Sequence, residues 1–209
     1  MASLEVITGC MFSGKTTDLF RRLRLAQLTR PQEPIIVYRP SLDTRSSIAQ
    51  THDGVTYTSV TCPNSEALLA DVADHPSMRV LGIDEVQFFD VGIIRACKLL
   101  RAEGRRILVT GLNQDFRGEP FCFRDSQLDI GHLIALADKH HPMGDALCMY
   151  SLEGTICGNT ASCTQRLYLD GTPVPYTDPL VHPGGKDPSN DRRYEARCLE
   201  HHFVPGRPW

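Results

Sequence analysis

The chain has 209 residues, 41% of them hydrophobic and 22% charged, with 22 Lys plus Arg against 25 Asp plus Glu and a formal net charge of −3. That is enough for one domain, or one plus a small appendage, and no apolar run approaches the roughly 18 residues that a membrane span needs. No Lys/Arg run extends beyond a pair such as Arg21-Arg22 or Arg105-Arg106, which excludes the electrostatic footprint of a sequence-independent nucleic-acid binder. Its 8 cysteines, with no signal-peptide pattern before them, point to reduced thiols or a metal site in the cytosol rather than a disulfide framework.

Leu4 to Thr8 (LEVIT) is a short apolar, partly β-branched run that reads as a buried strand. Lys15 to Leu28 follows as an amphipathic helix, with Leu19, Phe20, Leu23 and Ala26 on one face and Arg21, Arg22 and Arg24 elsewhere. Ile35 to Tyr38 and Val80 to Asp84 are further strands of the same kind. Val91 to Glu103 is a second amphipathic helix, turning Ile94, Cys97 and either Leu99 or Leu100 inward before Gly104 stops it, and Arg106 to Gly111 is a fourth strand. Strands alternating with helices predict an α/β fold, a parallel sheet flanked by helices with right-handed crossovers. From about His140 prolines, glycines and histidines accumulate, so residues 1–140 are assigned to the α/β domain and 141–209 to a smaller, loop-rich one. There, Arg166 to Tyr176 carries an Asp170-Gly171 pair that predicts a β-hairpin. His140 and His141 read as a solvated pair.

Gly9-Cys10-Met11-Phe12-Ser13-Gly14-Lys15-Thr16 satisfies G-x-x-x-x-G-K-[ST] directly between the first strand and the first helix. Backbone N–H groups of such a loop, aided by the helix N-terminus, surround nucleotide phosphates, the lysine neutralises their charge, and the threonine hydroxyl serves magnesium. The strand ending in Asp84 and Glu85 supplies the acidic half of a P-loop site, with Asp84 toward magnesium. Adjacent side chains at a strand end point in different directions, so Glu85 can face a second substrate as a general base, or simply be a solvated strand-end residue.

GCMFSGKTT, GIDEVQFFD, LVTGLNQDFRGEPF, CGNTASCTQRL and PLVHPGG followed by RYEARC together resemble, in order and approximate spacing, the thymidine kinases of the cellular and bacterial type. The resemblance implies transfer of the γ-phosphate of ATP to the 5′-hydroxyl of thymidine, and of deoxyuridine, by a cytoplasmic homotetramer with no nucleic-acid or membrane partner. It implies a P-loop α/β domain with a small C-terminal zinc-binding lasso domain. Residue by residue it assigns Gly9, Cys10, Met11, Phe12, Ser13, Gly14, Lys15, Thr16, Asp43, Arg45, Asp84, Glu85, Val86 and Gln87 to the nucleotide, with Mg²⁺ on Thr16 and Asp84 and Glu85 as the base. Met11, Phe88, Phe116, Phe121, Val181, Gly184, Gly185 and Tyr194 would surround thymidine. For a flat, methyl-bearing base, aromatic faces and a thioether are suitable walls, although Phe116 and Phe121 taken singly read equally well as core.

The family holds Zn²⁺ with two short pairs of ligands, and Cys198 with His201 supplies one. The other departs from the pattern: Cys157 aligns as a ligand, but its expected partner position is Gly154, so Cys148 is chosen at C-x8-C spacing, with Cys163 and His202 as substitutes. Residues 186–193 also lengthen the lasso segment beyond what the family commonly uses. The alternative reading is a P-loop ATPase whose zinc domain binds a nucleic-acid or protein partner.

Overall fold

The computed structural model describes residues 1–41, 49–50, 56–180 and 192–208. The strands are β1 (Ser3–Thr8), β2 (Ile35–Pro40), β3 (Ala49–Gln50), β4 (Thr56–Cys62), β5 (Val80–Ile83), β6 (Arg106–Gly111), β7 (Lys139–Pro142), β8 (Ser151–Leu152), β9 (Thr155–Ile156), β10 (Cys163–Tyr168) and β11 (Arg192–Arg197). The α-helices are α1 (Lys15–Thr29), α2 (Ser65–Ala73), α3 (Gly92–Ala102) and α4 (Ile130–Leu136). A seven-stranded sheet runs β3-β4-β2-β5-β6-β1-β7. All its pairings are parallel except β3 with β4.

All six residues of β2 and all four of β5 are buried, as expected of strands covered on both faces. On one face Leu4, Val6, Leu81, Ile83, Ile107 and Val109 pack against α2, α3 and α4. On the other Ile7, Val37 and Leu108 receive Leu19, Phe20, Leu23 and Ala26 of α1. Gly82 lets α1 come this close, since a Cβ there would meet Leu23 Cδ1 at 3.1 Å. Fully buried leucines such as Leu23 each stabilise the fold by roughly 1.5–3 kcal/mol.

The four expected strands and both helices are present. Helix α3 turns Ile93, Ala96, Cys97 and Leu100 inward; Leu99 is exposed and Ile94 is half-buried. The expected hairpin is corrected. The chain does turn at Asp170-Gly171, where Gly171 has φ +91°, but the return meets β10 in only an isolated bridge from Leu167 to Pro173. The real partner of β10 is β11, six residue pairs in antiparallel register from Cys163–Arg197 to Tyr168–Arg192. Pro173 and Pro175 explain the failure, since neither can donate to a ladder. His140 and His141 lie in β7, where His140 Nε2 is 2.8 Å from Thr8 Oγ1 and His141 Nε2 is 3.3 Å from Glu5 Oε2. All eight cysteines are free, and no described helix is long and apolar enough to cross a membrane.

Glu5 is the one carboxylate on the α1 face of β1, and it is buried. Its oxygens accept from Arg106 Nε at 2.8 Å and Arg22 Nη1 at 3.5 Å. Burial pushes its pKa up, but the hydrogen bond and charge of Arg106, with His141 and Lys139, outweigh that and hold it below the ordinary value. A lowered folded-state pKa means that Glu5 stabilises the fold above its unfolded value and loses that contribution as pH falls through the lowered one. Glu5→Gln should cost about 2 kcal/mol at neutral pH. Denaturant titrations of the two proteins should converge as the pH drops below the ordinary carboxyl value of 4.5.

Candidate active site

Residues 9–14 connect β1 to α1 over the C-terminal edge of the sheet, and the turn into the helix is made by Gly14 at φ +82°. Phe12, also left-handed at φ +65°, is exposed. Gly9 cannot carry a side chain: a Cβ there would stand 2.5 Å from Ser13 Oγ and 2.9 Å from the Met143 carbonyl. Three donors converge on the Cys10 carbonyl, namely Lys15 Nζ at 2.7 Å, Ser13 Oγ at 2.8 Å and the Ser13 N–H at 3.4 Å. The loop is therefore wound tightly around one oxygen, with the buried ammonium of Lys15 at its centre.

At the end of β5 the buried Asp84 carboxylate accepts the Thr16 hydroxyl at 3.2 and 3.3 Å and a short hydrogen bond from Thr110. Arg39 Nη2 lies 3.6 Å from its other oxygen. Thr16 and Asp84, separated by 68 residues, thus form a pair of hard oxygen ligands beside the P-loop, which fits magnesium. Glu85 adopts φ +53°, a left-handed conformation that costs a non-glycine residue on the order of 1 kcal/mol and is typical of functional sites. Its Oε2 accepts from Gln87 Nε2 at 2.6 Å, while Gln87 Oε1 accepts the Leu112 N–H at 3.1 Å. Val86 is fully buried in the core beneath them.

Gln87 also lines a cavity of about 280 Å³ together with Phe88, Phe121, Phe123 and Leu180. The rings of Phe88 and Phe121 meet edge to face, centroids 5.5 Å apart. Phe116 and Tyr194 lie elsewhere. Phe116 is buried with Val174 and Val204, and the Arg166 guanidinium sits 4.1 Å from its ring centre while donating to the Tyr194 hydroxyl at 3.0 Å. Met11 donates its N–H to Thr164 Oγ1 on β10 at 3.0 Å. Asp43, Arg45, Val181, Gly184 and Gly185 fall outside the described residues. Sequence reasoning does not single out Thr110, Arg39 or Arg166: the first two meet Asp84 from separate strands, and Arg166 meets Asp178 across 12 residues with no periodic signal.

Cys148, Cys157, Cys198 and His201 bring their ligand atoms within 4.8 Å of one another. His201 Nδ1 is 3.3 Å from Cys198 Sγ and 3.6 Å from Cys148 Sγ, and the Tyr150 ring stacks on the imidazole with centroids 4.2 Å apart. Three thiols and one imidazole suit zinc, whose bonds of about 2.3 Å make a tetrahedron with edges near 3.8 Å. The C-x8-C spacing closes because β8 and β9 loop out as a hairpin whose turn holds Glu153 and Gly154 at φ +50° and +83°. Below the hairpin the Cys157 N–H donates to Tyr150 O at 2.8 Å, which brings Cys157 back beside Cys148. Burial pushes the Cys148 thiol up, yet backbone groups of Cys198 and Tyr150 and the His201 ring outweigh this and bring it down to about 7. Cys163 and His202 stand outside the cluster, His202 Nε2 lying 2.9 Å from the Phe116 carbonyl.

The sequence model of a family described as thymidine kinase matches residues 2–202 of this chain. A thymidine kinase of Coprothermobacter proteolyticus is 39% identical over 206 residues, 98% of this chain and 92% of that protein. One of Thermococcus kodakarensis is 35% identical over 207 residues, 97% and 94% respectively. Among solved structures the ATPase DotB of Legionella pneumophila aligns at 18% identity and a TM-score of 0.37, covering 56% of this chain and 32% of that one.

The ligand set makes a direct prediction. Elemental analysis of untagged protein should find stoichiometric zinc; Cys198→Ser should lose it and Cys163→Ser should keep it. The reverse result would move the site to the substitute thiol.

Proposed function

The chain belongs to the thymidine kinase family, and from that premise we propose how its residues divide the work. The reaction transfers the γ-phosphoryl group of ATP to the 5′-hydroxyl of thymidine. The observation that carries the assignment is the separation of two consecutive carboxylates: Asp84 is tied to Thr16 on the P-loop side, and Glu85, turned by its left-handed backbone, is tied to Gln87 in the wall of the aromatic cavity. One carboxylate therefore faces the phosphates and the other the acceptor.

In this reading the N–H groups of residues 9–16 and the Lys15 ammonium hold the phosphates and withdraw charge as it develops on them. Thr16 and Asp84 would hold magnesium, which when bound would offset the negative charge of the phosphates. Glu85 takes the proton of the 5′-hydroxyl as that oxygen attacks phosphorus, and Gln87 orients the carboxylate for it. Phe88 and Phe121 form the apolar slot for the base, and Met11, Phe116 and Tyr194 support the acceptor side along β10 and β11. Cys148, Cys157, Cys198 and His201 would hold zinc in a structural role, because four protein ligands leave no open position.

We place the junction between the two units after Pro142, since β7 completes the sheet. A homotetramer in the cytoplasm is proposed with the family reading, testable by light scattering. No observation favours the alternative of an ATPase acting on a nucleic-acid or protein partner.

The reading is tested by incubating the protein with ATP, magnesium and each of the four deoxynucleosides. Thymidine and deoxyuridine should give monophosphates and deoxycytidine should not; hydrolysis of ATP without an acceptor product would refute it. Glu85→Gln should lower kcat by roughly 10²- to 10⁴-fold with the KM for ATP little changed. Lys15→Ala should instead raise the KM for ATP as well as lower kcat, because lysine contacts phosphate before and during transfer. Near-normal kcat in Glu85→Gln would remove the base assignment.

A further inference from the structure

We propose that Arg166 is a positioning residue for the nucleoside acceptor: it clamps Asp178, Pro179 and Leu180 so that Leu180 walls the aromatic cavity, with Asp178 joining it to Arg192. This rests on the kinase reading above, since it assigns the cavity to the acceptor.

Arg166 lies in β10 opposite Tyr194 of β11 and is 4% exposed. Its donors are directed at three consecutive residues. Nη1 gives hydrogen bonds to Asp178 Oδ2 at 2.9 Å and Pro179 O at 2.6 Å, and Nη2 gives one to Leu180 O at 2.7 Å. Nε donates to the Tyr194 hydroxyl oxygen at 3.0 Å, and the guanidinium carbon lies 4.1 Å from the Phe116 ring centre. Leu180 itself lines the cavity with Phe88, Phe121 and Gln87. One guanidinium therefore connects the cavity wall to two residues that the family resemblance places around thymidine.

The second half of the clasp is Asp178, whose Oδ1 accepts from Arg192 Nη2 at 3.1 Å and whose carbonyl accepts from Arg117 Nη2 at 2.8 Å. Arg192 stacks on Tyr168 at 4.2 Å. Leu180 and Arg192 are the described residues on either side of positions 181–191. A single buried carboxylate thus joins the two flanks of that stretch, and it separates two arginines that would otherwise repel. An ion pair serving only to hold β10 to β11 would not need the carbonyls of residues 179 and 180. Only a planar fork with donors in several fixed directions can take all these acceptors at once, which lysine cannot do.

The test uses steady-state kinetics of full-length Arg166→Gln, Arg166→Lys and Asp178→Asn beside the wild type, with zinc content measured on each. The expected result for Arg166→Gln is a thymidine KM raised at least about tenfold with the ATP KM within about twofold and zinc retained. Arg166→Lys should fail to restore the thymidine KM even though it keeps the charge. A thymidine KM within about twofold of wild type in folded Arg166→Gln would overturn the proposal, and so would a parallel rise in both KM values, which marks general support rather than acceptor positioning. If Arg166→Gln does not fold, the same criteria apply to the other two variants; if none folds, the clasp is a folding element and the proposal fails. A wild type that does not phosphorylate thymidine would count against the kinase reading instead.

Discussion

A buried carboxylate holds the working edge of this protein together. Asp84 ends β5 and draws in the Thr16 hydroxyl from α1, the Thr110 hydroxyl from β6 and the Arg39 guanidinium from β2. Removing a charged group from water costs several kcal/mol unless partners are supplied, and here they come from three neighbouring elements at once. Their satisfaction fixes the relative height of β2, β5, β6 and the start of α1, and hence the position of the P-loop over the sheet. The left-handed turn at Glu85 depends on this anchor, because a strained backbone persists only where its surroundings over-determine it.

The Cys/His cluster bears on the same loop from the other side. Cys10 shares an apolar cluster with Ala146, Cys148, Ala161, Ala196 and Cys198, while its carbonyl receives Lys15 and Ser13. Those side chains are all small, too small to form a self-sufficient core. Metal closure would therefore supply folding free energy that packing does not. The P-loop is braced by Asp84 beneath it and by the small-residue cluster beside it, where Cys10 packs on Cys148 and Cys198 and the neighbouring Met11 N–H donates to Thr164 Oγ1 of β10.

What the sequence disclosed follows from the range of the interactions involved. The runs LEVIT, IIVY, VLGID and RILVTG were legible because burial on both faces demands continuous apolar residues. Strand β4 (TYTSVTC) and helix α2 were missed, though Asn64, whose side chain accepts the Ala67 N–H at 2.9 Å, is an N-cap signal that stood in view. Strand β7, Lys-His-His-Pro, is an edge strand with no buried residue and carries no apolar signal. The Asp170-Gly171 turn was legible and its pairing was not, because β11 reaches β10 only after a long excursion of chain. The candidate metal ligands follow from the family resemblance together with thiol and imidazole chemistry, but the reason their spacing works, an outward hairpin with Gly154 at its turn, belongs to the fold.

The two halves of the candidate site differ in how they are specified. The candidate phosphate half comes from two short segments, residues 9–16 and 84–87, and its loop conformation requires glycine at positions 9 and 14. Side chains there can vary little without disturbing the backbone. The candidate acceptor half gathers Gln87 and Phe88, Phe121 and Leu180 from three separate segments, and Arg166 reaches it through its hydrogen bond to the Leu180 carbonyl. A change in that half can alter the shape of the cavity without touching Lys15, Thr16 or Asp84. In the proposed reading phosphoryl transfer and choice of acceptor are separable in physical terms, and Gln87 is where they meet, with one amide end on the Glu85 carboxylate and its other on the Leu112 N–H.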